Sequence, residues 1–243
     1  MTTPTKPVTS GSLLIAWQLR DKNVLIVGGG EVAAGRLEIV LGADARVTLI
    51  APSEDLHKTI REIVDTNDRV TYHDRLFEGP EDLVGVDMAL TAIDDVEESR
   101  RICEMARTRH IPINCADIPP SCDFYFGSQI RRGPLQILVS TDGNGPKIAH
   151  LIRRRIENVL PDDVEQTVLN VGRLRAKLRK RAPGVGGMLG KRRMGWMIKV
   201  STQWSLEELA ALDDLMMEKL LDEGWEKNAV PNDQAQALAA SNA

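Results

Sequence analysis

Aromatic residues are scarce in this chain, at 4% of 243 positions, and no apolar run approaches the ~18 residues that a membrane helix needs. A membrane is therefore not an expected partner. Cysteine is nearly absent as well. Cys103, Cys115 and Cys122 are too few and odd in number to build a disulfide framework, which suits a reducing compartment. Cys115 and Cys122 have no second pair, and His110 has no partner at helical spacing, so no metal site is expected. A P-loop, a Ser-His-Asp or Cys-His constellation and an internal repeat are also missing. Residues 1–10 are polar and lack the apolar segment of a secretion signal, so a cytoplasmic location is expected.

What is present is a charge asymmetry. The net charge is only −4, yet residues 129–200 hold 16 Lys/Arg against 5 Asp/Glu. Solvated helix faces account for part of such an excess, and a polyanionic partner, nucleic acid or a carboxylate-rich small molecule, is the other explanation.

The informative stretch is Asn23-Val24-Leu25-Ile26-Val27-Gly28-Gly29-Gly30-Glu31-Val32-Ala33. A short buried strand runs into a glycine triplet and then into an apolar-periodic helix. Gly28, Gly30 and Ala33 satisfy the G-x-G-x-x-G/A dinucleotide fingerprint. In that pattern Gly28 makes the tight turn, Gly30 lets the backbone approach a pyrophosphate, and Ala33 lets helix and strand pack closely. The helix opening at Glu31 would aim its unpaired N–H groups at the phosphates. A second strand, Arg46 to Ile50, follows at the spacing of a βαβ unit.

That second strand ends in Ala51-Pro52-Ser53, without the acidic residue that commonly holds the ribose hydroxyls. No arginine sits at the tip either, so NAD is favoured over NADP. Strands are expected at Arg69 to His73, Val86 to Thr91 and Ile111 to Cys115, with helices at 31–43, Leu56 to Val64 and Val96 to Thr108. Val32, Leu37, Val40 and Leu41 are expected to face inward on the first helix. Leu13 to Trp17 reads as an edge strand. The alternation predicts an α/β fold, a Rossmann-like doubly wound parallel sheet, whose ligand lies at the carboxyl ends of its strands. There Thr91-Ala92-Ile93-Asp94 offers small residues against a ring.

After Cys115 the alternation stops. Three of the nine aromatics fall in Asp123-Phe124-Tyr125-Phe126-Gly127. Gln129 to Arg132 and Leu135 to Ser140, joined by Gly133-Pro134, predict a hairpin. Pro146 suits the first position of a helix running to Val159. From residue 163 the chain reads helical, apart from a glycine-rich break at Pro183 to Gly190. Leu206, Leu209, Leu212, Leu215, Leu220 and Leu221 are expected to form one inward stripe. Residues 228–243 lack periodicity and read as a disordered tail. Asp117, just past the fifth strand, is placed to accept a proton beside a nicotinamide. The alternative is a turn aspartate that bonds only local backbone N–H groups.

Taken together, these segments resemble the precorrin-2 dehydrogenases of siroheme biosynthesis. The resemblance is carried by Gln18-Leu19-Arg20, Val27 to Ala33, Thr91 to Asp95, Asn114 to Asp117, Cys122 to Phe126 and Leu138 to Pro146. Val171-Gly172-Arg173-Leu174-Arg175 and Arg193-Met194-Gly195-Trp196-Met197 are similar to the fungal bifunctional dehydrogenase and ferrochelatase. The resemblance implies NAD-dependent oxidation of precorrin-2 to sirohydrochlorin, then insertion of ferrous iron as a substrate to give siroheme. It implies a homodimer with an NAD-binding domain (1–116), a dimerisation segment (117–146) of α+β character and a helical C-terminal domain (147–227). Asp117 matches the family's catalytic aspartate. Gly28, Gly29, Gly30, Glu31, Val32, Ala33, Pro52, Ser53, Thr91, Ala92, Ile93 and Asp94 match its NAD-contacting segments. The tetrapyrrole carries many carboxylates, and Arg131, Arg132, Lys147 and Arg153 to Arg155 are expected to receive them, so nucleic acid is not an expected partner. One departure is Ser140-Thr141-Asp142-Gly143-Asn144-Gly145-Pro146, where bacterial relatives often read Ser-Ser-Gly-Gly-Thr-Ser-Pro. Dehydrogenation without chelation, a generic NAD-dependent dehydrogenase of a small acid, and an NAD-sensing regulator that binds nucleic acid are the competing readings.

Overall fold

The computed structural model describes residues 11–227, 229 and 230. The expected tail thus lies largely outside the described residues. The chain forms two compact units: residues up to 126 with Asp142–Asn144, and Gly127–Thr141 with the residues from Gly145 onward.

The first unit is built on a five-stranded sheet of β1 (Asn23–Val27), β2 (Arg46–Ile50), β3 (Val70–His73), β4 (Met88–Thr91) and β5 (Ile113–Cys115). The strand order is β3-β2-β1-β4-β5, with every pairing parallel. Side chains on a strand alternate between faces, and both faces here are covered. Val24 and Ile26 of β1 join a core with α1 (Glu31–Leu41) and α2 (Lys58–Thr66). Leu25 and Val27 join the opposite core with α3 (Val96–Thr108). Neighbouring β1 and β4 lead their helices to opposite faces, so the strand order reverses between them and opens a crevice at their carboxyl ends.

Two expectations fail in this unit. Leu13 to Trp17 forms no strand; Leu13, Leu14 and Ile15 are exposed, and neither sheet edge supplies the backbone partner a strand requires. Val32 is 48% exposed. The inward face of α1 is set by Ala33, Ala34, Leu37 and Val40, two small residues letting the helix sit close to the sheet.

The second unit begins with the antiparallel hairpin of β6 (Ser128–Arg132) and β7 (Leu135–Val139), followed by α4 (Pro146–Glu157) with Pro146 in its first turn. Then come α5 (Val164–Arg181), α6 (Gly187–Gln203), α7 (Leu206–Ala210) and α8 (Asp214–Leu220). Their core includes Leu174, Leu178, Trp196, Met197, Leu209, Met217 and Trp225, with Trp196 and Trp225 packed edge to face at 6.0 Å. Buried Asn170 donates to the carbonyls of Leu209 and Ala210 at 3.1 and 2.8 Å, fixing α7 against α5. The glycine-rich break is shorter than expected, since α6 starts at Gly187. The leucine stripe is also interrupted. Asp213 caps a new helix through Met216 N–H, so the period resets and Leu215 is exposed; Leu206, the first residue of α7, is exposed as well, while Leu209, Leu212, Leu220 and Leu221 are buried.

Candidate active site

In the first unit a cleft of about 730 Å³ opens at the carboxyl ends of β1, β2 and β4. It is lined by Gly28, Gly29, Gly30, Ala51, Pro52, Ala92, Ile93 and Asp94, with Asp55, Arg75, Phe77, Asp95, Glu98 and Arg101 completing the wall. Gly28, at φ 120°, is irreplaceable on steric grounds: a Cβ there would lie 2.2 Å from the Ala92 carbonyl oxygen. At Gly30 a Cβ would meet nothing within 4 Å. Among the described residues no side chain caps the N-terminus of α1. Open space over uncapped N–H groups at a helix N-terminus is what a pyrophosphate needs, so the residues present fit a dinucleotide.

The remaining expected cofactor residues lie outside the lining. Glu31 and Val32 are exposed on the first turn of α1, and Ala33 is fully buried between helix and sheet. Ser53 donates its N–H to Asp74 at 2.7 Å. Thr91 is 2% exposed, and its hydroxyl has no hydrogen-bond partner among the described residues. Arg75 reaches the cleft from beyond β3, but Asp82 takes its guanidinium through two bonds of 3.0 and 2.6 Å. That pair holds the Asp82 carboxyl below its ordinary range. Sequence reading missed Arg75, Phe77 and Arg101, which lie in or pack against the aperiodic connection from β3 to β4.

Asp117 is exposed at the carboxyl end of β5, in a turn closed by Ile118 N–H donating to Cys115 O at 3.3 Å. Its φ of 58° is left-handed, a conformation aspartate tolerates better than most residues. The loop beyond is pinned. Asp123 receives Arg107 at 2.7 Å and the Ile113 N–H at 3.1 Å, while Asn114 donates to Phe124 O at 2.8 Å. Behind the turn Cys115 is buried, which pushes its thiol up to about 11. Among the described residues no cluster of histidine, cysteine and acid is arranged to hold a metal.

In the second unit Arg131, Arg132 and Lys147 are exposed. Arg153 is committed to Glu157 at 2.6 Å, and Arg132 approaches the same carboxylate at 3.9 Å. Part of the basic excess is neutralised within the unit. Arg173 meets Asp214, Lys177 meets Asp214 and Glu218, and Arg181 meets Glu218 and Asp222.

Fold and cleft together define a dinucleotide-binding α/β protein of the doubly wound class. Residues 15–128 match the model of an NAD(P)-binding family, residues 132–158 that of the sirohaem biosynthesis protein central region, and residues 161–231 that of its C-terminal region. The chain is 47% identical over 211 residues to siroheme biosynthesis protein met8 of Schizosaccharomyces pombe, covering 87% of this chain and 79% of that one. It is 36% identical over 150 residues to siroheme synthase of Methylobacillus flagellatus, covering 62% of this chain and 31% of that longer protein. Its fold is similar to that of SirC, precorrin-2 dehydrogenase, with a TM-score of 0.66 at 20% identity, across 89% of this chain and all of that one. The chain belongs to the sirohaem biosynthesis protein family. A nicotinamide cofactor follows from the matched NAD(P)-binding region, and no described helix is long and apolar enough to cross a membrane.

Proposed function

We propose that this protein oxidises precorrin-2 to sirohydrochlorin with NAD and then promotes insertion of ferrous iron to give siroheme. The observation that carries this reading is Asp117, an exposed carboxylate held in a left-handed turn at the same sheet edge as the glycine cleft. Asp21, Asp44, His110 and Asp142 share the left-handed conformation, so the place of this carboxylate at the ligand edge, rather than its dihedral, motivates a functional role. NAD, when bound, supplies the hydride acceptor. Gly28 to Gly30 and the N-terminus of α1 hold its phosphates, and Pro52, Ala92, Ile93 and Asp94 bound its cleft. NAD is preferred over NADP because Arg75 is already engaged by Asp82.

Asp117 takes the proton released from carbon during oxidation. In the second reaction it takes protons from the pyrrole nitrogens, which then bind iron. Iron is thus a substrate held by the macrocycle, not a resident metal. Arg131, Arg132 and Lys147 are proposed to receive the tetrapyrrole carboxylates, with Arg153 contributing less because Glu157 holds it. Nucleic acid is not proposed as a partner, since the exposed basic residues are assigned to the tetrapyrrole carboxylates and Arg173, Lys177 and Arg181 are already paired with acids of α8.

We further propose a cytoplasmic homodimer divided as an NAD-binding domain (1–116), a dimerisation segment (117–146) and a helical domain (147–227). Ile148, Leu151 and Ile152, which lie just beyond that segment in the helical domain, support the dimer: they share one face of α4 and are exposed in the single chain. The test is to supply precorrin-2, NAD and ferrous iron and follow absorbance. A siroheme spectrum with stoichiometric NADH supports both steps. Accumulating sirohydrochlorin, with added sirohydrochlorin and iron also unreacted, leaves only the dehydrogenase. Absence of NADH overturns the reading.

A further inference from the structure

The dinucleotide unit has two half-buried arginines, Arg36 and Arg75, and they are treated differently. Arg75 is neutralised by Asp82. Arg36, on α1, has no acidic side chain within ion-pair distance among the described residues. Its guanidinium carbon instead lies 3.8 Å from the centroid of the Phe126 ring. Phe126 in turn packs on Phe124 at 5.7 Å, and Phe124 on Trp17 at 6.4 Å, so an aromatic row ends at Arg36. Phe124 and Phe126 belong to the same connection after β5 that carries Asp117.

A desolvated cation without an anion is costly, and such groups are normally paired. Stacking on a ring uses the face of a guanidinium, whereas its N–H donors lie in its plane and stay available to a carboxylate. Burial lowers the Arg36 pKa, with Cys122 and Asp117 opposing that shift, and the stack on Phe126 ties the group to the connection that carries Asp117. We propose that Arg36 is a substrate-binding residue that takes a peripheral carboxylate of the tetrapyrrole beside Asp117. This rests on the function proposed above. It gives α1 two tasks: its N-terminus faces the dinucleotide, and a later turn grips the substrate.

The experiment is equilibrium titration of sirohydrochlorin, followed by absorbance, into the wild type, Arg36→Gln and Arg36→Lys. NAD titration and circular dichroism accompany each protein. Hydrogen bonds to a charged group are worth enough to predict about ten- to hundred-fold weaker sirohydrochlorin binding for Arg36→Gln. Arg36→Lys should recover only part of the affinity, because an ammonium lacks the planar fork. NAD binding should be unchanged. Sirohydrochlorin with its carboxylates methyl-esterified should bind the wild type and Arg36→Gln alike. Should Arg36→Gln fail to fold, Arg36→Lys carries the comparison. Unaltered sirohydrochlorin affinity in a folded variant overturns the inference, as does an altered pH profile of oxidation without any loss of affinity. A wild type that binds no sirohydrochlorin overturns the proposed function itself.

Discussion

The turn after β1 and the turn after β5 stand at the same carboxyl edge of one parallel sheet, and each holds a residue at positive φ. The first uses Gly28 at 120°, the second Asp117 at 58°. At Gly28 there is no room for a side chain, because the backbone of Ala92 closes to 2.2 Å of the missing Cβ. At Asp117 the side chain is kept and exposed, although a left-handed non-glycine residue typically costs about 1–2 kcal/mol. One turn surrenders its side chain so that backbone can pack and leave a cleft open to a ligand. The other keeps an exposed carboxylate in a left-handed turn.

The contrast is broken most severely by Gly28→Val. Strain and overlap together should remove about 3 kcal/mol or more of stability, visible as a lower urea midpoint, and abolish NAD binding. Gly30→Val, in open space, should fold normally and lose NAD affinity alone. Equal destabilisation by both would erase the distinction between packing glycine and ligand glycine.

Asp117→Gly sharpens the other side. A glycine relaxes the turn, so stability should stay within about 1 kcal/mol of wild type. The rate of oxidation should nevertheless fall by roughly 10²-fold or more. A variant that is both stable and active would reduce Asp117 to a turn residue.

A smaller effect concerns the layer beneath that turn. Burial raises the Cys115 thiol to about 11. A group whose folded pKa is raised contributes stability that is complete below its unfolded value, ordinarily about 8.5, and is lost as pH rises through the folded one. The melting temperature should therefore decline between about pH 8.5 and 11, and Cys115→Ala should flatten that decline. The smallest change is expected from Asp82→Asn. Freeing Arg75 at the cleft wall should move the ratio of NADP to NAD affinity upward, which paired titrations would detect.

The sequence exposes these two turns unequally. The run from Asn23 to Ala33 declares itself because the glycines, the strand and the helix are contiguous. Helix α3 was legible to the residue, from Val96 to Thr108, since Asp95 caps it by accepting from Glu98 N–H. Arg75 and Phe77 escaped notice because the segment between β3 and β4 has no period to follow, and Arg101, on the exposed side of α3, gains its place at the cleft only by packing over Phe77. Arg36 carries no signal in the sequence, and only the approach of Phe126 gives it meaning. Leu206 was misplaced because it opens α7 directly after the Ser205 cap, and Leu215 because Asp213 restarts the helix, neither of which a count of leucines registers. The basic excess suggested an external polyanion, while the structure pairs Arg173, Lys177 and Arg181 with acids from a distant helix.

The most direct measurement is Asp117→Asn assayed in both half-reactions: NADH formation from precorrin-2, and siroheme formation from sirohydrochlorin with ferrous iron. The substitution keeps the shape and removes the base. If one carboxylate serves both steps, both rates should fall by about 10²–10⁴-fold while NAD affinity is preserved. A folded Asp117→Asn protein that keeps either rate within a few-fold of wild type would contradict the shared role.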